Sequence, residues 1–292
     1  MLNLVRQALT STGLVSAASR LMFNITVSKG DVISIDVGVA GGGWYHVQAC
    51  RYYDLGTRFA SDRLARQRFQ ERAPEPLAHF RHGDWSLIIA KACEHRSAGA
   101  GDLAGRPGAT ALGRDLIGFF AAARDHALVE NAGDTHDLFM SEARAFLAAS
   151  AELGSGVLSF LNTLDTPDWA DVPYIPQHGD FVLNNLGSSK GRLVVFDWED
   201  YGATGLAGFD ICLISLSVTG MSAASVRRMQ EVADPAGHPW AFAQAACRAS
   251  GLDYRTFRRA IPIYLLAFRY LKRNYGREIA IRVNDILREI LG

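Results

Sequence analysis

The 292-residue chain lacks several things, and each shortage narrows its class. It has no net charge: thirty basic residues balance thirty acidic ones, so no broad basic footprint for nucleic acid shows in the composition. Lysine is scarce. Lys29, Lys91, Lys190 and Lys272 are the whole set, and the other basic residues are arginines. The four cysteines (Cys50, Cys93, Cys212, Cys247) are far apart, with no C-x-x-C pair and no zinc-finger histidine spacing. Apolar surroundings mark them as buried free thiols, and a disulfide framework is not expected in a chain of this size. No apolar run nears the ~20 residues a bilayer span needs, since Ile263 to Phe268 is far shorter. Arg20 interrupts the Leu14–Phe23 run and spoils it as a signal-peptide core, so a cytoplasmic location is expected. A G-x-S-x-G nucleophile elbow is missing too; Gly154-Ser155-Gly156 is not one.

What is present is an ordinary globular composition, 49% apolar and 21% charged, of two textures. Residues 20 to 95 are strand-rich. The runs 21–27 and 32–39 flank a hairpin turn at Ser28-Lys29-Gly30-Asp31, and Gly41–Gly43 turns the chain into a third strand, 44–53. Residues 60–72 suit an amphipathic helix with Leu64 and Phe69 on its apolar face, ended by Pro74 and Pro76. Strands at 77–80 and 85–90 follow around the turn His82-Gly83-Asp84. Composition shifts at Ser97–Asp102, a linker signal. Helical spacing then dominates: one helix carries Leu112, Leu116, Phe119 and Phe120 to about Leu128, and another begins with Phe139, Ala143, Phe146 and Leu147. After a strand-and-loop stretch at 172–200, helices fill 204–290, the last two at 260–274 and 280–291. Tyr264, Phe268, Tyr270 and Tyr275 read as core aromatics. Two domains are expected: a β-rich lobe at 1–95 and a helical lobe at 96–292.

The chemistry concentrates in Gln177-His178-Gly179-Asp180-Phe181-Val182-Leu183-Asn184-Asn185, an H-x-D-x-x-x-x-N pattern. A turn at 187–191 and an apolar strand at 193–196 follow, ending in Asp197-Trp198-Glu199-Asp200. In a chain of this composition the H-x-D-x-x-x-x-N spacing is expected about 0.015 times by accident. The residue types suit phosphoryl transfer. One carboxylate accepts a hydroxyl proton, while an amide oxygen and a second carboxylate hold magnesium on the phosphates.

Order, spacing and the two textures resemble the aminoglycoside phosphotransferase and choline kinase-like family, relatives of protein kinases. The resemblance is specific over about 175–215. It implies an α+β, two-lobed protein-kinase-like fold, with a small antiparallel N-lobe sheet and a larger, mainly helical C-lobe. It further implies ATP and magnesium as cofactors, and γ-phosphoryl transfer to the hydroxyl of a small molecule. Asp180 would be the base with His178 supporting it. Asn185 and Asp197 would be metal ligands, Glu199 would stand close behind them, and Asp210 would brace the loop. The adenine base would meet backbone groups of Lys91, Ala92 and Cys93.

The upper lobe departs from the family pattern. Gln48 stands where a strand lysine is expected, Ala65, Arg66 and Gln67 stand where a helix glutamate is expected, and Gly41–Gly43 is a weak phosphate loop. A kinase-like binding protein without catalysis is therefore one rival, and a metal-dependent hydrolase using His178, Asp180 and Asp197 is another. The acceptor stays open among antibiotics, sugars, nucleosides and amino alcohols. Glu130, Asp134, Asp137 and Glu142 are the acidic residues that a polycationic acceptor would favour.

Overall fold

The computed structural model describes all residues except 28–30, 106–107, 131–134, 151–152, 162–168, 170, 274–276 and 292. The chain forms two compact units, Met1–Arg96 with Val194–Glu199, and Ser97–Leu193 with Asp200–Gly292. The predicted linker at 97–102 begins where the chain leaves the first unit. Of the turn expected at 28–31, residues 28–30 lie outside the described residues, as do Asp134, Asn274 and Tyr275.

The first unit opens with α1 (Leu2–Ser11), ahead of the strand-rich stretch expected from residue 20 and not anticipated from the sequence. Then come β1 (Leu21–Val27), β2 (Val32–Val39), β3 (Trp44–Cys50), α2 (Gly56–Phe69), β4 (Pro76–His82) and β5 (Trp85–Lys91). The strands form one antiparallel sheet in the order β1-β2-β3-β5-β4. Strand alternation sorts its faces. Ile35, Val37, Val47, Ala49, Leu87 and Ile89 bury one face against Val5, Ala8 and Leu9 of α1. Val32, Cys50 and Ile88 meet Leu55 and Phe59 on the other, where α2 lies. β3 stops at Cys50, short of the expected Tyr53: the chain bends away to start α2, and Tyr52 is 75% exposed.

The second unit is mainly helical. β6 (Arg96–Ser97), where the chain enters it, is followed by α3 (Ala100–Leu103), α4 (Ala111–Glu130), α5 (Thr135–Ala148) and α6 (Ser155–Leu161). A hairpin of β7 (Leu186–Ser189) and β8 (Arg192–Val195) follows, the last two residues of β8 counting with the first unit, and then α7 (Phe209–Thr219), α8 (Ala223–Glu231), α9 (Phe242–Ala249), α10 (Tyr254–Leu271) and α11 (Arg277–Leu291). α10 starts earlier than its apolar spacing suggests because the Asp253 carboxylate caps it, accepting the Thr256 N–H at 2.9 Å. The unit's core holds α7 and α10, with Phe257, Ile261, Tyr264 and Leu265 fully buried. Phe268 is buried as expected, whereas Tyr270 is exposed, stacking under Arg273. Cys50, Cys212 and Cys247 are buried free thiols, but Cys93 is only half-buried, because it lies beyond the end of β5. Among the described residues no helix is long and apolar enough to cross a membrane.

Because Leu9 is fully buried between α1 and the sheet, Leu9→Ala is expected to cost about 2–5 kcal/mol. A urea titration followed by circular dichroism measures it; a change under about 0.5 kcal/mol would show that α1 is not part of this core.

Candidate active site

In the second unit the Gln177–Asp180 loop hangs from α7 by its backbone. The Asp210 carboxylate, buried in the first turn of α7, accepts the His178 N–H at 2.6 Å and the Gly179 N–H at 3.1 Å. Gln177 Oε1 returns the contact by accepting the Asp210 N–H at 3.1 Å. Burial pushes Asp210 up to about 7, against the pull of those two N–H donors. The cap of α7 is Gly208, so Asp210 acts inside the helix as a brace rather than as the cap. His178 is 1% exposed, and its Nδ1 accepts the Asp180 N–H at 3.2 Å. That nitrogen is spent on holding the loop.

Gly179 has φ +89°, and a Cβ there would lie 2.7 Å from Asp200 Cβ and 2.8 Å from Asp200 O. Both the backbone conformation and the close approach require glycine. Downstream, the Asn185 side-chain Nδ2 donates to the Asp180 carbonyl at 2.8 Å, which turns the amide oxygen the other way. The Leu183 N–H is held by Ser217 Oγ of α7 at 2.9 Å. Asp180 and Asn185 are thus fixed to each other through one hydrogen bond. The Asp180 carboxylate meets a residue the sequence did not single out. Lys272, just past α10, places Nζ 3.4 Å from Asp180 Oδ2 and 2.6 Å from Asp200 Oδ2.

In the first unit Asp197 and Glu199 share one arginine from α2. Arg58 Nη1 donates to Glu199 Oε2 at 2.7 Å, and Arg58 Nη2 donates to Asp197 Oδ1. Asp197 has φ +65°, a left-handed conformation rare outside glycine but tolerated by aspartate. Trp198 between them is fully buried, stacks on Phe69 at 5.1 Å, and donates its indole N–H to the Val195 carbonyl at 2.7 Å. It packs, as expected. The inner face of α2 therefore reads Arg58, Asp62, Ala65, Phe69, while Leu64 is 39% exposed, contrary to the sequence reading. A helix whose buried stripe starts with two charged residues shows little amphipathic pattern. Burial pushes Asp62 up to about 7, with Arg58 opposing and Asp197 and Glu199 adding to the rise. It is the acid of this helix, one turn ahead of the 65–67 window where one was sought.

Gln48 lies on the α2 side of the sheet, between Ser34 and Ile88 in register. The Lys91 and Ala92 N–H groups donate to the Glu75 carbonyl at 2.8 Å and the Trp44 carbonyl at 3.0 Å. The Cys93 carbonyl accepts His95 Nδ1 at 2.9 Å. The Lys91 side chain reaches Glu75 at 3.7 Å. Of the acidic segment, Asp137 is exposed, and Glu142 is used structurally, accepting the Gly205 N–H at 3.0 Å. Asn185 in the second unit, and Asp197 and Glu199 in the first, each offer hard oxygen donors, the chemistry that suits magnesium, and none brings sulfur or imidazole.

No family model matches the sequence, and no curated protein matches it. Solved structures do. A choline kinase from Cryptosporidium parvum matches with TM-score 0.58 and 10% identity over 100% of this chain and 94% of the other. A Plasmodium vivax ethanolamine kinase matches with 0.58 and 10% over 98% and 86%. A thermostable mutant of an aminoglycoside phosphotransferase, in ternary complex with ADP and hygromycin B, matches with 0.52 and 17% over 98% of each. The fold is kinase-like. The α+β class expected from the sequence, with its antiparallel sheet and its mainly helical second part, is the one observed.

Two predictions follow from the geometry. Gly179→Ala should lower stability by about 1–3 kcal/mol through strain and overpacking; an unchanged melting temperature would refute the close approach to Asp200. For Asp62, the folded state holds a proton that the unfolded chain releases above its ordinary value near 3.8. Its contribution to stability is full below that value and is lost as pH rises through about 7. Asp62→Asn should therefore gain on the wild type between pH 4 and 7.5 in paired urea titrations; a constant gap would show that Asp62 titrates normally.

Proposed function

We propose that the chain is an ATP- and magnesium-dependent phosphotransferase acting on a hydroxyl of a small molecule. The observation that carries this is the loop itself. Its one carboxylate, Asp180, is held in place by a buried scaffold and remains 26% exposed, with the Asn185 amide pinned beside its backbone. The kinase-like fold, including a neighbour solved with ADP, supports the reading.

Asp180 would accept the proton of the acceptor hydroxyl as its oxygen forms the new bond to the γ-phosphorus. The bond from that phosphorus to the bridging oxygen breaks, and ADP leaves with the electron pair. Magnesium, when bound, supplies charge neutralisation on the phosphates. Asn185, through its amide oxygen, and Asp197 would hold it, while Arg58 keeps Glu199 and Asp197 in one orientation. With the Lys91 and Ala92 N–H groups spent inside the sheet, Cys93 is the place where that segment would meet the base edge. Gln48 would offer phosphate a neutral hydrogen bond in place of a strand lysine.

That neutral Gln48 favours one second reading, a nucleotide-binding protein without turnover. ATP consumption against a panel of hydroxylated metabolites and antibiotics separates the two, together with nucleotide titration with and without magnesium. Turnover with one acceptor class is expected; binding that ignores magnesium and never yields ADP would favour the second reading. Asp180→Ala should reduce turnover at least about 100-fold while leaving nucleotide affinity within about threefold. Retained turnover would remove Asp180 as the base.

A further inference from the structure

Lys272 is one of four lysines in the chain, and it is 95% buried. It follows the last turn of α10, where its own N–H still donates to the Phe268 carbonyl at 2.9 Å. Its ammonium contacts are unequal: 2.6 Å to Asp200 and 3.4 Å to Asp180. Asp200 therefore anchors the cation, and Asp180 keeps the looser contact. Asp200 is itself fixed, since its backbone abuts Gly179 and its carbonyl accepts the Ala203 N–H at 3.0 Å. The four residues after Asp180 (Phe181, Val182, Leu183 and Asn184) carry no charge.

We infer that Lys272 is a positioning residue for phosphoryl transfer, its ammonium offsetting the charge of Asp180 so that this carboxylate and a phosphoryl group can approach one hydroxyl together. The inference rests on the phosphotransferase reading and adds to it a residue distant in sequence, at the C-terminal cap of α10. A base and a phosphate are both anionic, and in a half-buried site their repulsion is several times what it would be in water. A cation beside the base offsets that repulsion at the moment the two converge, an interaction worth most in the transition state. Burial pulls the ammonium down, but Asp180 and Asp200 outweigh it and the net shift is upward, so Lys272 is charged at neutral pH. Lysine suits the place: a compact point charge with three donors can serve two carboxylates at different distances.

Lys272→Met alone strands two carboxylates and risks unfolding the loop. The test is therefore Lys272→Met in an Asp200→Asn background, compared with Asp200→Asn alone, with Lys272→Arg as the conservative variant. Expected is a double variant whose melting temperature matches Asp200→Asn, whose KM for ATP stays within about threefold, and whose kcat falls about 100-fold. Lys272→Arg should keep more than about a tenth of wild-type kcat. A double variant with kcat within about threefold of Asp200→Asn overturns the inference while wild-type turnover stands. So does a loss carried by KM or by melting temperature, as a merely structural lysine would give. A wild type that consumes no ATP with any acceptor fails earlier: it sinks the phosphotransferase reading and Lys272's role with it.

Discussion

Crowded negative charge is the constraint to which this structure answers. Asp197, Glu199 and Asp200 lie within four residues of one another, and Asp180 joins Asp200 in the second unit. All are partly buried, and carboxylates this close repel unless a cation stands among them. Each unit meets the demand alone. In the first, Arg58 takes Asp197 and Glu199 together; in the second, Lys272 takes Asp200 and Asp180. Each cation offsets the charge of the acids around it, and carboxylate oxygens are what proton acceptance and a hard cation both need.

Charge balance alone would leave the groups mobile, and here the backbone supplies the rigidity. Asp210 uses both carboxylate oxygens to hold two successive N–H groups of the loop. The His178 ring holds a third, that of Asp180. Gly179 lets the loop press against Asp200 where any side chain would collide. Asp197 sits in a left-handed backbone conformation, the kind of local cost that persists only where surrounding contacts fix it. Trp198 locked against Phe69 and Arg58 gripping the flanking carboxylates are those contacts.

Much of this was legible in the sequence, for reasons that differ by residue. All five strands of the first unit's sheet overlap the β-branched and alternating runs, because period-two alternation over a buried face is a strong local signal. The H-x-D-x-x-x-x-N loop was legible because its residue types are improbable together. α1 went unread: its buried positions, Val5, Ala8 and Leu9, are few and the helix is short. The inner face of α2 was misread for a sharper reason. Periodicity counts apolar residues, and this face begins with Arg58 and Asp62; the burial of Arg58 is compensated by Asp197 and Glu199, more than a hundred residues away in sequence. Lys272 left no local trace either. A basic residue after an apolar helix looks like any C-terminal cation, and only the tertiary fold brings it to Asp180.

The chain's strong preference for arginine makes its choice of lysine at 272 informative. Arg58 meets two carboxylates with two different nitrogens, which is the task a planar fork performs well. At Lys272 the two acids are met by a single nitrogen at unequal distances, in a space that leaves the side chain 6% exposed. A guanidinium there would keep the charge but spread over both carboxylates and cover more of Asp180, at some cost in rate. A point charge anchored on Asp200 offsets the charge of Asp180 while covering little of it. The two cations are thus matched to different demands: Arg58 to holding a segment in one orientation, Lys272 to balancing a carboxylate that must stay open to another molecule.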